Sequence, residues 1–399
     1  MKVKMFNVDF GESIMISSLD NYENLLIDYG SETNTNISYI ESQLNSIKSN
    51  GGNIDAMITH FHDDHINGFI NLSRKNPSLF NKVYIPNVFS PYLEKDFNTI
   101  SYVEIEVILF FLIKCKFNKG RLSLFEMLKS IIVIDGELHI VQRGDIFTFA
   151  NIKYVTLWPN ISEIKFMKDF TEDDLKKFLN IIGEDLDEPV NLSDEINKIS
   201  SLLSNTYFSM SISDHKMEVK GNIEELEKRI EKLSKSAEEL NGKLIYKTKK
   251  DKLDKWIKKL GSNLNKISIV FQNEIDKLDN NILMTGDIDF CRLNWIIENK
   301  LNRDIQIHKY FNIIKAPHHG TKTHFIDNLP TSKNIIISNG RARNSKRGKV
   351  SSSYNVYRKK GALIRCTNSI KERCEFLDSG SKCRGICNKH YHRNEILIY

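Results

Sequence analysis

Short alternating runs of apolar residues open the chain and return after residue 265, and a stretch of helical period lies between them. Met5 to Asp9 and Ser13 to Ser17 flank Phe10-Gly11-Glu12, which predicts two paired strands joined by a turn where Gly11 supplies backbone freedom. A third strand, Asn24 to Ile27, runs into Asp28-Tyr29-Gly30. Ile37, Ile40, Leu44 and Ile47 then recur at steps of three, four and three, a helical spacing closed by Gly51-Gly52. The next apolar run, Ala56-Met57-Ile58, delivers Thr59-His60-Phe61-His62-Asp63-Asp64-His65, followed by Ile66-Asn67-Gly68-Phe69-Ile70. That pattern predicts a strand ending in a polar turn that opens a helix. Strand, helix and strand in this order, with polar clusters at strand ends, predict a layered α/β fold.

Between residues 160 and 265 the strand signals stop. Ile223, Leu226, Ile230, Leu233, Ala237 and Leu240 recur at alternating three- and four-residue steps, with Glu and Lys outside the seam. A seam this short needs a partner helix. Leu253, Trp256, Ile257 and Leu260, beyond a turn at Gly242, offer one as an antiparallel hairpin; self-association of the chain is the other reading. Asp169 to Ile182 and Leu192 to Leu203 predict further helices. Residues 160–265 therefore read as a helical insertion in a domain spanning 1–340, placed to wall a site, engage a partner or pack on an edge. Strands resume at Ile267 to Phe271, Asn281 to Asp287, Asn312 to Lys315 and Asn334 to Ser338, with a helix from Cys291 to Leu301.

Composition narrows the class. Hydrophobic content of 40% and charged content of 27% are those of a soluble globular protein, and 399 residues suffice for a full core. The longest uncharged apolar run, Val107 to Ile113, is too short to span a bilayer, so no membrane partner is expected. Met1-Lys2-Val3-Lys4 leads straight into a strand without a secretory pattern, and six cysteines make no disulfide framework in a chain of this size; a cytoplasmic location is the expectation. Charge is unevenly placed. Residues 341–399 hold 15 basic and 4 acidic side chains, a net +11, so the preceding 340 carry −5 of the total +6. An acidic body with a basic tail suggests a polyanionic partner.

The candidate chemistry centres on His60, His62, Asp64 and His65, in the pattern H-x-H-x-D-H. His60 and His62 alternate along an extended backbone and could converge on one ion, while Asp64 and His65 could face a second. Imidazole with carboxylate favours zinc, with manganese as an option. In the tail, Cys366, Cys374, Cys383, Cys387, His390 and His392 have the density of a separate structural zinc site, the alternative being free thiols. Arg341, Arg343, Lys346 and Arg347, followed by Tyr354 and Tyr357, suit a nucleic-acid strand, with cations on phosphates and rings on bases.

Four motifs together resemble the metallo-β-lactamase-fold hydrolases. Asp28 follows a hydrophobic strand; the H-x-H-x-D-H cluster comes next; Ile282-Leu283-Met284-Thr285-Gly286-Asp287 and Ile313-Ile314-Lys315-Ala316-Pro317-His318-His319-Gly320 complete the set. The H-H-G form and Val8-Asp9-Phe10-Gly11-Glu12-Ser13 resemble the subgroup that includes the hydrolase domain of the competence DNA-uptake channel protein. The resemblance covers roughly residues 1–160 and 265–340. It implies an αββα sandwich, two divalent metal ions held by His60, His62, Asp64, His65, Asp287 and the His318/His319 pair, and Asp28 orienting a ligand histidine. One of His318 and His319 would bind metal and the other would face the substrate. Asp287 would be shared between the ions, and water activated by them would attack a phosphodiester. The family's usual further histidine has no counterpart, since Trp158-Pro159 stands in the comparable place. His139 reads as structural, and His308 and His324 as ordinary surface or core residues. Three functions follow: a nuclease or phosphodiesterase acting on nucleic acid, a hydrolase of a small phosphodiester or other ester, and a non-catalytic nucleic-acid or partner-binding module with a degenerate site.

Overall fold

The computed structural model describes residues 1–8, 11–31, 37–88, 101–160, 172–187, 191–210, 216–243, 247–275, 280–298, 305–339, 350–367 and 395–398. The chain forms two compact units. One comprises Met1–Asn87, Val133–Asn160 and Asn265–Tyr399, the other Val88–Ile132 and Ile161–Leu264. Residues 88–132 thus share a unit with the stretch read as an insertion.

The first unit is α/β, with two mixed seven-stranded sheets. One sheet has strands β1 (Lys2–Phe6), β2 (Ile14–Ser17), β3 (Glu23–Ile27), β4 (Asn53–Met57), β5 (Lys82–Pro86), β6 (Glu137–Val141) and β14 (Glu395–Ile398), in the order β14-β1-β2-β3-β4-β5-β6. The other has β7 (Ile146–Phe149), β8 (Ile152–Trp158), β9 (Val270–Asn273), β10 (Ile282–Met284), β11 (Tyr310–Lys315), β12 (Thr331–Ile337) and β13 (Leu363–Cys366), in the order β13-β12-β11-β10-β9-β8-β7. Their inward faces share one apolar cluster. Met5, Ile14, Ile27 and Met57 come from the first sheet, and Phe147, Phe271, Met284, Ile313 and Ile336 from the second. Phe147 packs against Tyr84, Tyr154 and Phe271 with ring centroids 5.1 to 5.3 Å apart, at the spacing of favourable aromatic pairs.

The two sheets repeat one plan. In the first, β14/β1, β1/β2 and β2/β3 are antiparallel and β3/β4, β4/β5 and β5/β6 parallel. In the second, β7/β8, β8/β9 and β9/β10 are antiparallel and β10/β11, β11/β12 and β12/β13 parallel. By position β3 corresponds to β10 and β4 to β11. Asp28 follows β3, the histidine cluster follows β4, Asp287 follows β10 and His318-His319 follows β11. All the candidate ligands therefore leave the carboxyl ends of equivalent parallel strands, where open α/β sheets characteristically bind ligands.

Helix α1 (Ile37–Ser49) buries Ile40 and Leu44, the face its spacing predicted, and packs on β4. Helix α2 (Asp63–Lys75) starts with Asp63 and Asp64 in its first turn, where acidic side chains favour the positive end of the helix dipole. Helices α9 (Phe290–Ile297) and α10 (Asn355–Lys359) complete the described helices of this unit.

Part of the segment read as a basic tail belongs to these sheets. β13 extends the second sheet beyond β12, and β14 pairs with β1. Glu395 of β14 meets Lys4 at 3.3 Å and accepts a hydrogen bond from the Tyr39 hydroxyl at 2.8 Å. Tyr354 and Tyr357, expected to stack on bases, are buried instead. They pack on Phe325, and the Tyr357 hydroxyl donates to the Ile326 carbonyl. Packing explains the difference, since the two rings and Phe325 pack on one another.

The second unit is helical: α3 (Tyr102–Phe117), α4 (Ser123–Ile132), α5 (Glu172–Gly183), α6 (Leu192–Met210), α7 (Lys216–Lys243) and α8 (Lys247–Gly261). Its axis is α3, which contains the Val107 to Ile113 run and starts at a Ser101/Glu104 capping box. Being apolar all round, α3 is wrapped by α6, α7 and α8. The α7 seam buries Leu226, Leu233, Ala237 and Leu240 against α3 and α6, whereas α8 packs on α3. A hairpin of α7 with α8 is therefore not the main contact of either helix. Both use α3, whose uniform hydrophobicity gives no periodic signal as a partner.

Candidate metal centre

Asp28 is the hub beneath the site. It is buried and sits in the left-handed region with φ 52°. Its Oδ1 accepts the Thr59 backbone N–H at 2.7 Å, and its Oδ2 accepts the Thr59 hydroxyl at 2.7 Å and His65 Nδ1–H at 2.8 Å. Because the Thr59 hydroxyl spends its proton on Asp28, its oxygen must accept from His60 Nδ1–H, 3.0 Å away. One carboxylate thus fixes the tautomer of two imidazoles and leaves Nε2 of each as the acceptor nitrogen. His319 Nδ1–H is fixed in the same way by the Ser338 carbonyl at 2.8 Å.

Nε2 of His65 and Nε2 of His319 face carboxylates. His65 Nε2 lies 3.3 Å from Asp287 Oδ2 and 4.0 Å from Asp64 Oδ2, and it has no hydrogen-bond partner among the described residues. His319 Nε2 lies 3.3 Å from Asp64 Oδ2 and 3.4 Å from Asp287 Oδ2. His60 Nε2 stands 3.0 Å from His62 Nδ1, and His62, at the N-cap of α2, spends no side-chain bond on the helix end. A lone pair opposite a carboxylate in a buried site is repulsive unless a proton or a cation stands between them. Burial lowers the His60 and His62 pKa values, His60 strongly; the charge of His65 adds to both effects, and that of His62 adds to the effect on His60. Burial also opposes charge on His65 and His319, but Asp287 and the neighbouring carboxylates outweigh it and raise both. Asp64 and Asp287 are held well below the usual carboxylate range, because the facing histidine charges overcome burial.

This donor set fits a divalent cation. Three ligand sets of suitable spacing exist among the described residues: Asp28-His60-His65, Asp64-His65-His319 and Glu12-His65-Asp287. Asp28 already receives three donors, so the first set is spent. The second brings His65 Nε2 and His319 Nε2 together with the Asp64 carboxylate and is the open one. Mixed imidazole and carboxylate ligands are those of zinc, manganese or iron.

His318 sits at the mouth with its side chain 29% exposed. Its Nε2 is 3.7 Å from Asp287 Oδ2 and its Nδ1 is 3.0 Å from Thr321 Oγ1. Burial lowers its pKa to about 3 against the opposing charge of Asp287, so it stands neutral at pH 7. His318 and His319 both have positive φ, 44° and 55°, and Gly320 follows at 71°. Non-glycine residues in this region cost about 1–3 kcal/mol each and persist where the surroundings hold them. Here the hold comes from Asn339 Nδ2 on the His319 carbonyl at 2.8 Å and from the Ser351 N–H on the Gly320 carbonyl at 2.9 Å.

His324, read from sequence as ordinary, lies against this turn. Its ring centroid is 3.9 Å from that of His318 and its Nδ1 is 3.3 Å from Thr321 Oγ1. His308 is ordinary, donating to the Asn273 carbonyl at 2.7 Å. His139 of β6 stacks on Tyr84 of the neighbouring β5, as a structural residue does. Sequence reasoning missed Lys315 and Glu12, both buried beside Asp287. A lysine closing an otherwise apolar strand was the available signal. Asp63 is exposed on the first turn of α2. Cys366 is buried on β13, while Cys374, Cys383, Cys387, His390 and His392 lie outside the described residues, as do Arg341, Arg343, Lys346 and Arg347.

Close backbone packing holds the ligand turn. The Tyr29 N–H donates to the His65 carbonyl at 2.8 Å and the Glu12 N–H to the Asp64 carbonyl at 3.0 Å. A Cβ on Gly30 would stand 2.3 Å from both the Asp64 carbonyl carbon and the His65 nitrogen. Gly30→Ala must therefore push the Asp64-His65 backbone away. Urea unfolding is expected to show a loss of about 1–3 kcal/mol, the range for overpacking, together with weaker metal binding. Wild-type values for both would mean that the turn has slack.

A scan against models of known protein families finds no match to this chain, and a search of curated proteins finds none either.

Proposed function

We propose that this chain is a metal-dependent phosphodiesterase acting on nucleic acid, built on an αββα sandwich of the metallo-β-lactamase type. The observation that carries the reading is the convergence of His65 Nε2 and His319 Nε2 on Asp64 and Asp287, with each ring's far nitrogen already committed. The two packed sheets, with ligands at equivalent strand ends, support the fold assignment. Asp64, His65, His319 and Asp287 would hold one cation, and His60 and His62, together with Asp287, a second. Bound divalent cations supply Lewis-acid polarisation of a phosphoryl oxygen and activation of water at neutral pH.

The chain's own residues do the rest. Asp28 holds His65 directly and His60 through Thr59, which preorganises the ligands. His319, buried between two carboxylates, is the metal ligand of the pair. His318, neutral and partly exposed, hydrogen-bonds the substrate. Support for a phosphate substrate comes from what flanks that pair. Asn339 is bonded to the His319 carbonyl, and Val350 bridges to Thr321. The sequence between them includes Arg341, Arg343, Lys346, Arg347 and Lys349. Five cations in this stretch of sequence suit a substrate that carries phosphates.

The test is direct. Full-length protein loaded with Zn²⁺ or Mn²⁺ is incubated with single-stranded DNA, RNA and bis-(p-nitrophenyl) phosphate, alongside His62→Ala. Degradation of a polynucleotide by wild type, lost in the variant, is expected. Turnover of the small diester alone would replace nucleic acid with a small substrate, and inactivity on all three despite bound metal would remove the enzymatic reading.

A further inference from the structure

We propose that Lys315 and Glu12 are a buried positioning pair that leaves Asp287 only its Oδ2 for metal; this rests on the metal-centre reading above. Lys315 ends β11, is fully buried, and directs its ammonium at three acceptors. These are Glu12 Oε2 at 2.6 Å, the Gly286 carbonyl at 2.7 Å and Asp287 Oδ1 at 3.2 Å. The ion pair with Glu12 and the two hydrogen bonds to Gly286 and Asp287 hold the ammonium group in place. A lysine this buried is rare unless paired, and here its partner Glu12 comes from the β1–β2 turn of the opposite sheet.

The pair divides the labour of Asp287. Oδ1 is taken by Lys315, while Oδ2 faces His65, His319 and His318 at 3.3, 3.4 and 3.7 Å. The carboxylate plane is thereby set before any metal arrives. Lys315 also settles the third ligand set. Glu12, His65 and Asp287 have metal-ligand spacing, but the ammonium lies 2.6 Å from the Glu12 oxygen, and like-charge repulsion keeps a divalent ion out. The structure thus assigns Lys315 as a fixed cation standing where a metal would otherwise bind, which directs the mobile cations to the Asp64-His65-His319 side.

Cobalt reports this directly, since its visible absorption reads coordination number without any turnover. Two variants of the full chain separate charge from position. Glu12→Met/Lys315→Met removes both charges at once and leaves the net charge unchanged, a replacement that buried ion pairs often tolerate. With Oδ1 released, its cobalt spectrum is expected to lose intensity as the carboxylate adds a second oxygen. Glu12→Gln keeps Lys315 in place but leaves its charge to Asp287 alone. It is expected to retain the wild-type band shape while binding cobalt about tenfold or more weakly, the size of effect seen when groups behind metal ligands are altered. A wild-type spectrum in the double variant, or wild-type cobalt affinity in Glu12→Gln, would overturn the proposal, and either variant alone suffices if the other does not fold. Wild-type protein that takes up no cobalt would instead sink the metal-centre reading itself.

Discussion

Asp287→Asn is expected to cut phosphodiester hydrolysis by at least ~10³-fold and to lower bound metal below one ion per chain, while the protein still folds. The expectation follows from the position of Oδ2, which lies 3.3 Å from His65 Nε2 and 3.7 Å from His318 Nε2 and almost as close to His319 as Asp64 does. No other described acid reaches all three rings. Asparagine keeps the shape and an acceptor for Lys315 but removes the charge that makes the cluster attractive to a cation. Lewis-acid stabilisation is worth several kcal/mol, and about 4 kcal/mol corresponds to three decades in rate. Elemental analysis of purified variant and wild type, with initial rates on the best substrate, checks both halves. A variant that keeps its metal and its rate would mean that Asp287 is only the counter-ion of Lys315.

The candidate ligands were legible in the sequence because each follows an apolar strand, and neighbouring strands of each sheet place their ends together. Asp28, the His60 to His65 cluster, Asp287 and the His318-His319 pair needed only the inference of a layered α/β fold to become neighbours. What stayed hidden depends on contacts with no local signature. Lys315 sits in a run that reads as a buried strand, and its partner lies on a turn at the far end of the chain. Nothing in either stretch names the other. His324 looked ordinary because the turn that folds it onto His318 is made by three residues of positive φ, two of them histidines with no turn propensity of their own. Tyr354 and Tyr357 looked like a binding surface because neighbouring lysines and arginines dominate the composition, whereas burial is decided by the Phe325 face on which they pack.

Proton and metal compete for the same nitrogens, and this gives the second large effect. In metal-free protein His65 and His319 have raised pKa values, because Asp287, Asp28 and Asp64 favour their charged forms despite burial. A histidine whose folded pKa lies above its unfolded value contributes stability that is fully present below about pH 6.5 and is lost as pH rises through the folded pKa. His60, His62, His318 and His324 are shifted the other way, chiefly by burial, so acidification below about pH 6.5 favours the unfolded chain, which binds their protons. The melting temperature of EDTA-treated protein should therefore peak near neutrality and fall on both sides. On the alkaline side a bound cation takes the place of the protons on His65 and His319, so the metal-loaded protein should hold its melting temperature there. The gap between loaded and metal-free protein widens with pH, and calorimetric titration at pH 7 in buffers of different ionisation enthalpy should register protons released on metal uptake. A gap that stays constant from pH 6 to pH 9, with no proton release, would mean that these lone pairs are not where the metal binds.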